Sequence, residues 1–121
     1  MKKILFIEDE SALQKSIGEI LGQDGYEISQ ALDGEAGLKL ALEEKPDLIL
    51  LDLILPKKDG FEVLKELKIN DATKSIPVIV ITNLEGTGDV EKVLELGATT
   101  YLVKANYTLN EVMQKIKEAL K

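Results

Sequence analysis

Short apolar runs alternate with stretches of helical period five times along this 121-residue chain. The runs are the five predicted strands: Ile4–Ile7, Tyr26–Leu32, Leu48–Leu51, Ile76–Ile81 and Thr100–Val103. The third and the fourth are essentially unbroken apolar sequences, as expected of strands that are buried on both faces. Strict alternation of strand and helix predicts a parallel sheet covered by helices on both faces, with right-handed crossovers.

Each stretch between the strands, and the one after the last, carries an apolar stripe that predicts a helix. The stripe residues are Leu13, Ile17, Ile20 and Leu21; Leu38, Ala41 and Leu42; Phe61, Leu64 and Leu67; Val90, Val93 and Leu94; and Leu109, Val112, Met113, Ile116, Ala119 and Leu120. Helix boundaries are indicated by capping residues. The predicted capping boxes are Ser11–Gln14 and Thr108–Glu111, the N-caps Asp33 and Asp59, and the C-terminal glycines Gly25 and Gly97.

These patterns predict a doubly wound α/β fold, a flavodoxin-like (βα)5 sandwich that takes up residues 1–121 as one domain. A chain of this length has room for a single core. The common strand order for five such strands is 2-1-3-4-5. Ligands of this fold bind where the order reverses, between the carboxyl ends of the first and third strands. That position is therefore where functional residues are expected.

Composition excludes several kinds of chemistry. The chain has no Cys and no His, so disulfides, thiolate metal sites and histidine bases are absent, and metal binding would rely on carboxylate oxygen. Its net charge of −7 repels polyanions, which argues against direct binding of nucleic acid or anionic membranes. No apolar run reaches the length of a membrane span, and the first strand is too short for a signal peptide. We expect a cytoplasmic protein.

Acidic residues follow the first and third predicted strands. The first strand ends in Glu8-Asp9-Glu10 and the third in Asp52. Carboxylates that converge at a switch point repel one another unless a cation intervenes, and Mg²⁺ suits a site with few protein ligands and several waters. The alternative is that these are ordinary solvated loop residues, which we accept for Glu10 because it is expected at the start of the first helix. For the other three acids we favour a Mg²⁺ site.

The fourth and fifth strands are expected to end at the same edge of the sheet, beside these acids. The fourth finishes with Thr82-Asn83 and the fifth is followed by Lys104. Each alone would be interpreted as an ordinary strand-end or surface residue. Together with a metal and the Asp52 carboxylate they form a phosphoryl-transfer constellation, in which the cations and the hydroxyl neutralise phosphoryl oxygens while the carboxylate attacks in line.

With these residues in register, the chain resembles a bacterial two-component response-regulator receiver domain of the stand-alone, chemotaxis-regulator-like kind. The resemblance covers the whole chain. It is carried by Glu8-Asp9, by Asp52 with Pro56 and Gly60, by Thr82, and by Tyr101–Lys104.

The resemblance implies phosphorelay signal transduction. Asp52 would accept a phosphoryl group from a phosphohistidine of a sensor histidine kinase or phosphotransfer protein. Asp9, Asp52 and the backbone carbonyl of Ile54 would bind Mg²⁺ directly, and Glu8 would act through water. The domain would have only self-phosphorylating and slow autodephosphorylating activity, so it is not expected to be an enzyme in the ordinary sense.

The resemblance also assigns the switch. Thr82 and Lys104 would hold the phosphoryl oxygens, and Tyr101 would rotate inward on activation; the alternative for Tyr101 is a half-buried strand aromatic. The chain ends where its fifth helix ends, so we expect output through a downstream protein target. That target would bind the surface formed by the fourth helix, the fifth strand and the fifth helix.

Three positions depart from the family pattern or vary within it. Ala105 follows Lys104 where receivers usually have proline with a cis bond. A cis bond before a non-proline residue costs roughly 2.5–4 kcal/mol, against about 0.5–1 before proline, so we expect a trans bond. The resemblance also implies that the variable positions nearest the hydrolytic water are Ile54 and Leu84. Both are apolar, and we expect them to slow dephosphorylation. The alternative is that they only pack on the loops.

Other functions on this fold fit the sequence less well. A binding-only receiver would be expected to lack one of the acceptor-site residues, but Asp9, Asp52, Thr82 and Lys104 are all present. A flavodoxin-like cofactor binder needs Ser, Thr and Gly after the first strand, where three acids here would repel a phosphate. An aspartyl phosphatase needs Asp-x-Asp at that point, which Glu8-Asp9-Glu10 does not supply.

Overall fold

The computed structural model describes residues 2–82, 87–104 and 108–120, with side chains for all of these except residues 87–89. Five strands alternate with five helices, as the sequence predicts. In chain order they are β1 (Lys3–Ile7), α1 (Ser11–Gln23), β2 (Glu27–Ala31), α2 (Gly34–Glu44), β3 (Leu48–Leu51), α3 (Gly60–Ile69), β4 (Val78–Thr82), α4 (Thr87–Glu95), β5 (Thr100–Val103) and α5 (Leu109–Ala119).

The strands form one parallel sheet in the order β2-β1-β3-β4-β5, which confirms the predicted topology. In the register, Ile7 of β1 lies beside Leu51 of β3, and Thr82 of β4 lies beside Val103 of β5. Glu8, Asp52 and Lys104, which follow Ile7, Leu51 and Val103, therefore come together with Thr82 at the carboxyl edge of the sheet. The chain order reverses between β1 and β3, so this edge opens into a crevice there.

The core has two layers because successive strand residues point to opposite faces of the sheet. On one face Leu5, Ile7, Ile49, Leu51, Val78 and Val80 pack with residues of α2, α3 and α4. On the other face Ile4, Phe6, Leu48, Leu50, Ile79, Ile81 and Leu102 pack with residues of α1 and α5. Three leucines of the predicted stripes, Leu42, Leu94 and Leu109, lie at the margins and are partly exposed.

Two strands have bounds that differ from those of the apolar runs: β2 is shorter at both ends, and β4 begins later than predicted. β2 begins at Glu27 rather than Tyr26 and ends at Ala31 rather than Leu32, whose side chain is 55% exposed. β4 begins at Val78 rather than Ile76, directly after Pro77. Proline has no backbone N–H to donate to a neighbouring strand, so the regular ladder starts after it.

Most of the predicted helix ends are confirmed. Asp33 accepts a hydrogen bond from Ala36 N and Asp59 from Glu62 N, and Thr108 forms the full capping box with Glu111. Gly25 and Gly97 have φ angles of 90° and 107°, a conformation that only glycine adopts without strain. No helix in the described part of the chain has the length and apolar character needed to cross a membrane.

The capping box predicted at Ser11–Gln14 is wrong. The N-cap of α1 is Glu10, which makes no side-chain capping hydrogen bond. Gln14 is 3% exposed, and its side chain points toward the ends of β1 and β2 instead of back to the helix start. The amide of Gln14 is therefore used inside the protein and does not cap the helix, although its position in the sequence suggested that role.

Candidate functional site

Three carboxylates meet at the carboxyl edge of the sheet. Glu8, Asp9 and Asp52 each offer an oxygen, and these oxygens all lie within 4.8 Å of one another. Glu8 is fully buried, Asp52 is 4% exposed, and Asp9 is exposed. The structure therefore brings together the three acids for which the sequence predicted a shared site.

Backbone hydrogen bonds fix the two chain segments that carry these acids. Glu8 N donates to Ala31 O at 3.0 Å, which extends the pairing of β1 with β2 by one residue. Asp52 N donates to Ile7 O at 3.0 Å, which does the same for β3 and β1. The acidic residues thus leave the sheet from adjacent strands at the same level, and their carboxylates converge.

Lys104 supplies a cation to this cluster. Its Nζ lies 2.6 Å from Glu8 Oε1 and donates a hydrogen bond to Asp52 Oδ2 at 3.2 Å. The Lys104 side chain is only 14% exposed, so the ion pairs are largely shielded from water. Its position directly after β5, two strands away from β3, allows its long side chain to cross the crevice and reach both acids.

Burial and charge set the protonation of the cluster. Burial raises the pKa of Glu8 to about 7. Lys104 acts in the opposite direction and lowers this pKa, whereas the negative charge of Asp52 raises it further. Burial also opposes the charge on Lys104, but the close contact with Glu8 and the negative charges of Asp52 and Glu8 outweigh it and raise the pKa of Lys104. Additional positive charge in the pocket would favour ionised Glu8, because Glu8 and Asp52 share one ammonium group.

Two buried oxygens in this region have no directed hydrogen bond within the described residues: Thr82 Oγ1 and Glu8 Oε1. The second is close to Lys104, so that contact is an ion pair without good hydrogen-bond geometry. Unsatisfied buried polar atoms are rare in native proteins and often mark a place for an ion or ligand. A hard cation among the carboxylates and a phosphoryl oxygen near the Thr82 hydroxyl suit this donor set.

The loop between Asp52 and α3 is tied to the acceptor residue. Ile54 N donates to Asp52 Oδ1 at 3.3 Å, and Gly60 N donates to Leu53 O at 2.9 Å. Leu53 is buried, whereas the Ile54 side chain is 55% exposed at the rim of the site. The backbone of Ile54, the predicted third metal ligand, is therefore held beside the Asp52 carboxylate.

Some of the predicted features lie at the edge of, or outside, the described residues. Tyr101 is half-buried and packs against the core layer that contains Val80 and Val93. Leu84, Asn83 and Ala105 are outside the described residues, and so is the Lys104–Ala105 bond for which a trans isomer is predicted.

Sequence reasoning missed one buried polar residue next to the site, Gln14. A signal was present: Gln14 precedes Ile17 by three positions and Leu21 by seven, so it continues the buried stripe of α1. A polar residue in a buried stripe needs internal hydrogen-bond partners. Its partners here are backbone carbonyls at the ends of β1 and β2.

Comparison with known proteins identifies the family of the chain. Residues 4–117 match the family model described as the response regulator receiver domain. The chain belongs to the response regulator receiver family. Receiver domains are the phosphoryl-accepting modules of two-component systems, signalling domains rather than classical enzymes. They bind Mg²⁺ at an acidic site and interact with histidine kinases or phosphotransfer proteins.

Individual proteins resemble the chain over nearly all of its length. Sporulation initiation phosphotransferase F of Bacillus subtilis is 33% identical over 98% of this chain and 94% of its own. The transcriptional regulatory protein CiaR of Streptococcus pneumoniae is 44% identical over all of this chain and 52% of its own. A CheY-like receiver domain structure from Methanospirillum hungatei superimposes with a TM-score of 0.92, at 29% identity over 99% of this chain and 94% of that one. The chain spans about half or less of the length of several larger regulators that it matches.

Proposed function

We propose that Asp52 is the phosphoacceptor of this receiver domain, which residues 1–121 form as one unit. The donor would be a phosphohistidine on a sensor histidine kinase or phosphotransfer protein. The arrangement that supports this proposal is the buried Asp52 carboxylate, with Lys104 Nζ at 3.2 Å and the oxygens of Glu8 and Asp9 within 4.8 Å. Glu8 is buried in the same cluster and also contacts Lys104. The resemblance to receiver domains assigns the acceptor role to the acid that follows the third strand, which is Asp52.

The transfer forms one bond and breaks one. An oxygen of Asp52 attacks phosphorus in line, the P–N bond to the donor imidazole breaks, and its electron pair stays on that nitrogen, which is then protonated. Lys104 neutralises negative charge on the phosphoryl oxygens, and the Thr82 hydroxyl donates to one of them. Both side chains are buried enough for these interactions to be stronger than they would be in water.

Asp9, Asp52 and the carbonyl of Ile54 would hold a Mg²⁺ ion, with Glu8 contributing through water. When bound, Mg²⁺ would offset the repulsion among the acids and the charge of the incoming phosphoryl group. Asp9 is exposed and so can retain water on the ion, whereas the buried Glu8 is already engaged with Lys104. A site with three direct protein ligands and the remaining positions filled by water fits Mg²⁺.

Output would pass through the surface formed by α4, β5 and α5, which would bind a downstream protein target. Thr82 ends β4 and Lys104 follows β5, so both side chains proposed to contact the phosphoryl group lie at the carboxyl ends of the strands on that side of the molecule. Tyr101 lies in β5 three residues before Lys104 and is the proposed switch residue. We do not expect direct nucleic-acid or membrane binding by this domain, because its net charge is −7.

Beryllofluoride, a stable mimic of the phosphoryl group, tests this function. With Mg²⁺ it is expected to shift the backbone NMR signals of residues around Asp52, Thr82 and Lys104 in the wild type. Asp52→Asn should give no such shifts, because the mimic requires the carboxylate oxygen. Shifts of equal size in Asp52→Asn, or in wild type with EDTA, would refute the assignment of the acceptor or of the metal.

The lifetime of the phosphorylated protein is a separate prediction. Ile54 is apolar, lies at the rim of the site and cannot orient a water by hydrogen bonding; Leu84, outside the described residues, is apolar too. An in-line water needs such orientation to react quickly. We expect slow autodephosphorylation, accelerated in the double variant Ile54→Asn, Leu84→Glu. The measurement is phosphate release over time, and a wild type that decays within seconds or an unchanged double variant would contradict it.

A further inference from the structure

The side chain of Gln14 joins the ends of two strands beneath the acidic cluster. Its Nε2 donates to Glu8 O and to Ala31 O, each at 2.7 Å, and lies 3.4 Å from Phe6 O. Gln14 is 3% exposed and occupies the face of α1 that also buries Ile17 and Leu21. A buried amide in this position is costly unless its donors are paired, and here they are.

These hydrogen bonds hold the chain at the point where the sheet stops. Glu8 N is still paired, because it donates to Ala31 O at 3.0 Å. Glu8 O lies past the last paired residue of β1, which is Ile7, and it accepts from Gln14. Ala31 O accepts from both Glu8 N and Gln14, so the three residues form one hydrogen-bonded junction.

The junction is also attached to the helix. Gln30 of β2 donates through its side chain to Gln14 O at 3.3 Å, so that the first turns of α1 are fixed to the strand end from both sides. Rotation of the Glu8 peptide group would break the bond to Gln14. The same rotation would redirect the Glu8 carboxylate and displace Asp9, which follows it.

We propose that Gln14 is a positioning residue for the proposed metal and phosphoryl site. It fixes the Glu8–Asp9 backbone so that both carboxylates face Asp52. The effect of Gln14 on metal and phosphoryl binding rests on the proposed function, but the hydrogen bonds of the junction do not depend on any metal. Residues that orient metal ligands through hydrogen bonds typically contribute a factor of about 10–100 to metal affinity, which sets the size of the expected effect.

The test compares Gln14→Met with Thr73→Val. Methionine has nearly the length of glutamine but no donor, so it leaves the junction carbonyls unpaired. Thr73 offers a matched control. It lies in the segment between α3 and β4, is buried like Gln14, and donates to a backbone carbonyl, Leu67 O of α3, at 2.7 Å. Both variants should unfold at lower urea concentration than the wild type. If Gln14→Met does not fold, Gln14→Asn, which keeps the amide on a shorter stem, replaces it.

Two readouts separate positioning from stability alone. Calorimetric titration with Mg²⁺ should show affinity reduced about 10–100-fold in Gln14→Met and unchanged in Thr73→Val. Hydrogen exchange by NMR should show that the Glu8 amide loses protection in Gln14→Met, measured against the Leu50 amide in the centre of the sheet. Retention of either wild-type Mg²⁺ affinity or wild-type Glu8 protection in Gln14→Met would overturn the proposal. If the wild type itself fails to bind Mg²⁺, the metal part of the proposed function falls, and exchange at Glu8 alone decides the role of Gln14.

Discussion

Replacement of Asp52 by asparagine is expected to abolish phosphoryl transfer to the protein. Asparagine keeps the size of the side chain and can still accept a hydrogen bond from Lys104, but its amide is not a nucleophile toward phosphorus. The intact mass of the wild type after incubation with acetyl phosphate and Mg²⁺ should include a phosphorylated species. The mass of Asp52→Asn should remain that of the unmodified protein.

Asp71→Asn is the matched control for this experiment. The Asp71 side chain is 92% exposed, and among the described residues its ion-pair partner is Lys74 on the surface, so the same chemical change there should leave labelling intact. Asp9→Ala should reduce labelling, because it removes a proposed metal ligand but not the acceptor. Full labelling of Asp52→Asn would show that another residue accepts the phosphoryl group.

Gly60→Ala is expected to cause a large loss of stability. A Cβ at Gly60 would lie 2.3 Å from Asp52 O and 2.4 Å from Leu53 Cα, which are backbone atoms and cannot move aside as a flexible side chain can. We expect a loss on the order of 3 kcal/mol in the free energy of unfolding, a large part of the total for a small domain. The Asp52 segment would have to shift, so labelling should fall as well.

Gly22→Ala is the same substitution, but here the free energy of unfolding is expected to increase. Gly22 lies within α1, and a Cβ there would meet no atom within 4 Å. Alanine at an open helical position is more stable than glycine by roughly 0.5–1 kcal/mol. Urea unfolding of both variants tests the pair. Equal effects of the two substitutions would mean that close packing at Gly60 does not determine stability.

The fold could be predicted from the sequence because its signals are local and repeated. Apolar runs such as Leu48–Leu51 and the stripe of α5 each specify an element without reference to the rest of the chain. Alternation of the elements then leaves few topologies for a parallel sheet. The convergence of Glu8, Asp9 and Asp52 follows in turn from the strand order, which places β1 beside β3.

The features that could not be predicted depend on contacts between distant segments. The sequence places Gln14 three residues after a serine, which is the pattern of a capping box. Its actual role is decided by the carbonyls of Glu8 and Ala31, and these meet only when β1 and β2 have paired. The ion pairs that Lys104 makes with Glu8 and Asp52 likewise depend on how far one side chain reaches across the crevice.

Location of the phosphoryl group within the wild-type chain is the most direct test of the central claim. Borohydride reduces an aspartyl phosphate to homoserine, so peptide mass spectrometry after acetyl phosphate treatment identifies the acceptor by a permanent change. The account predicts homoserine at position 52 in the presence of Mg²⁺ and none after treatment in EDTA. Homoserine at another position, or equal conversion of Asp52 without a divalent cation, would contradict it.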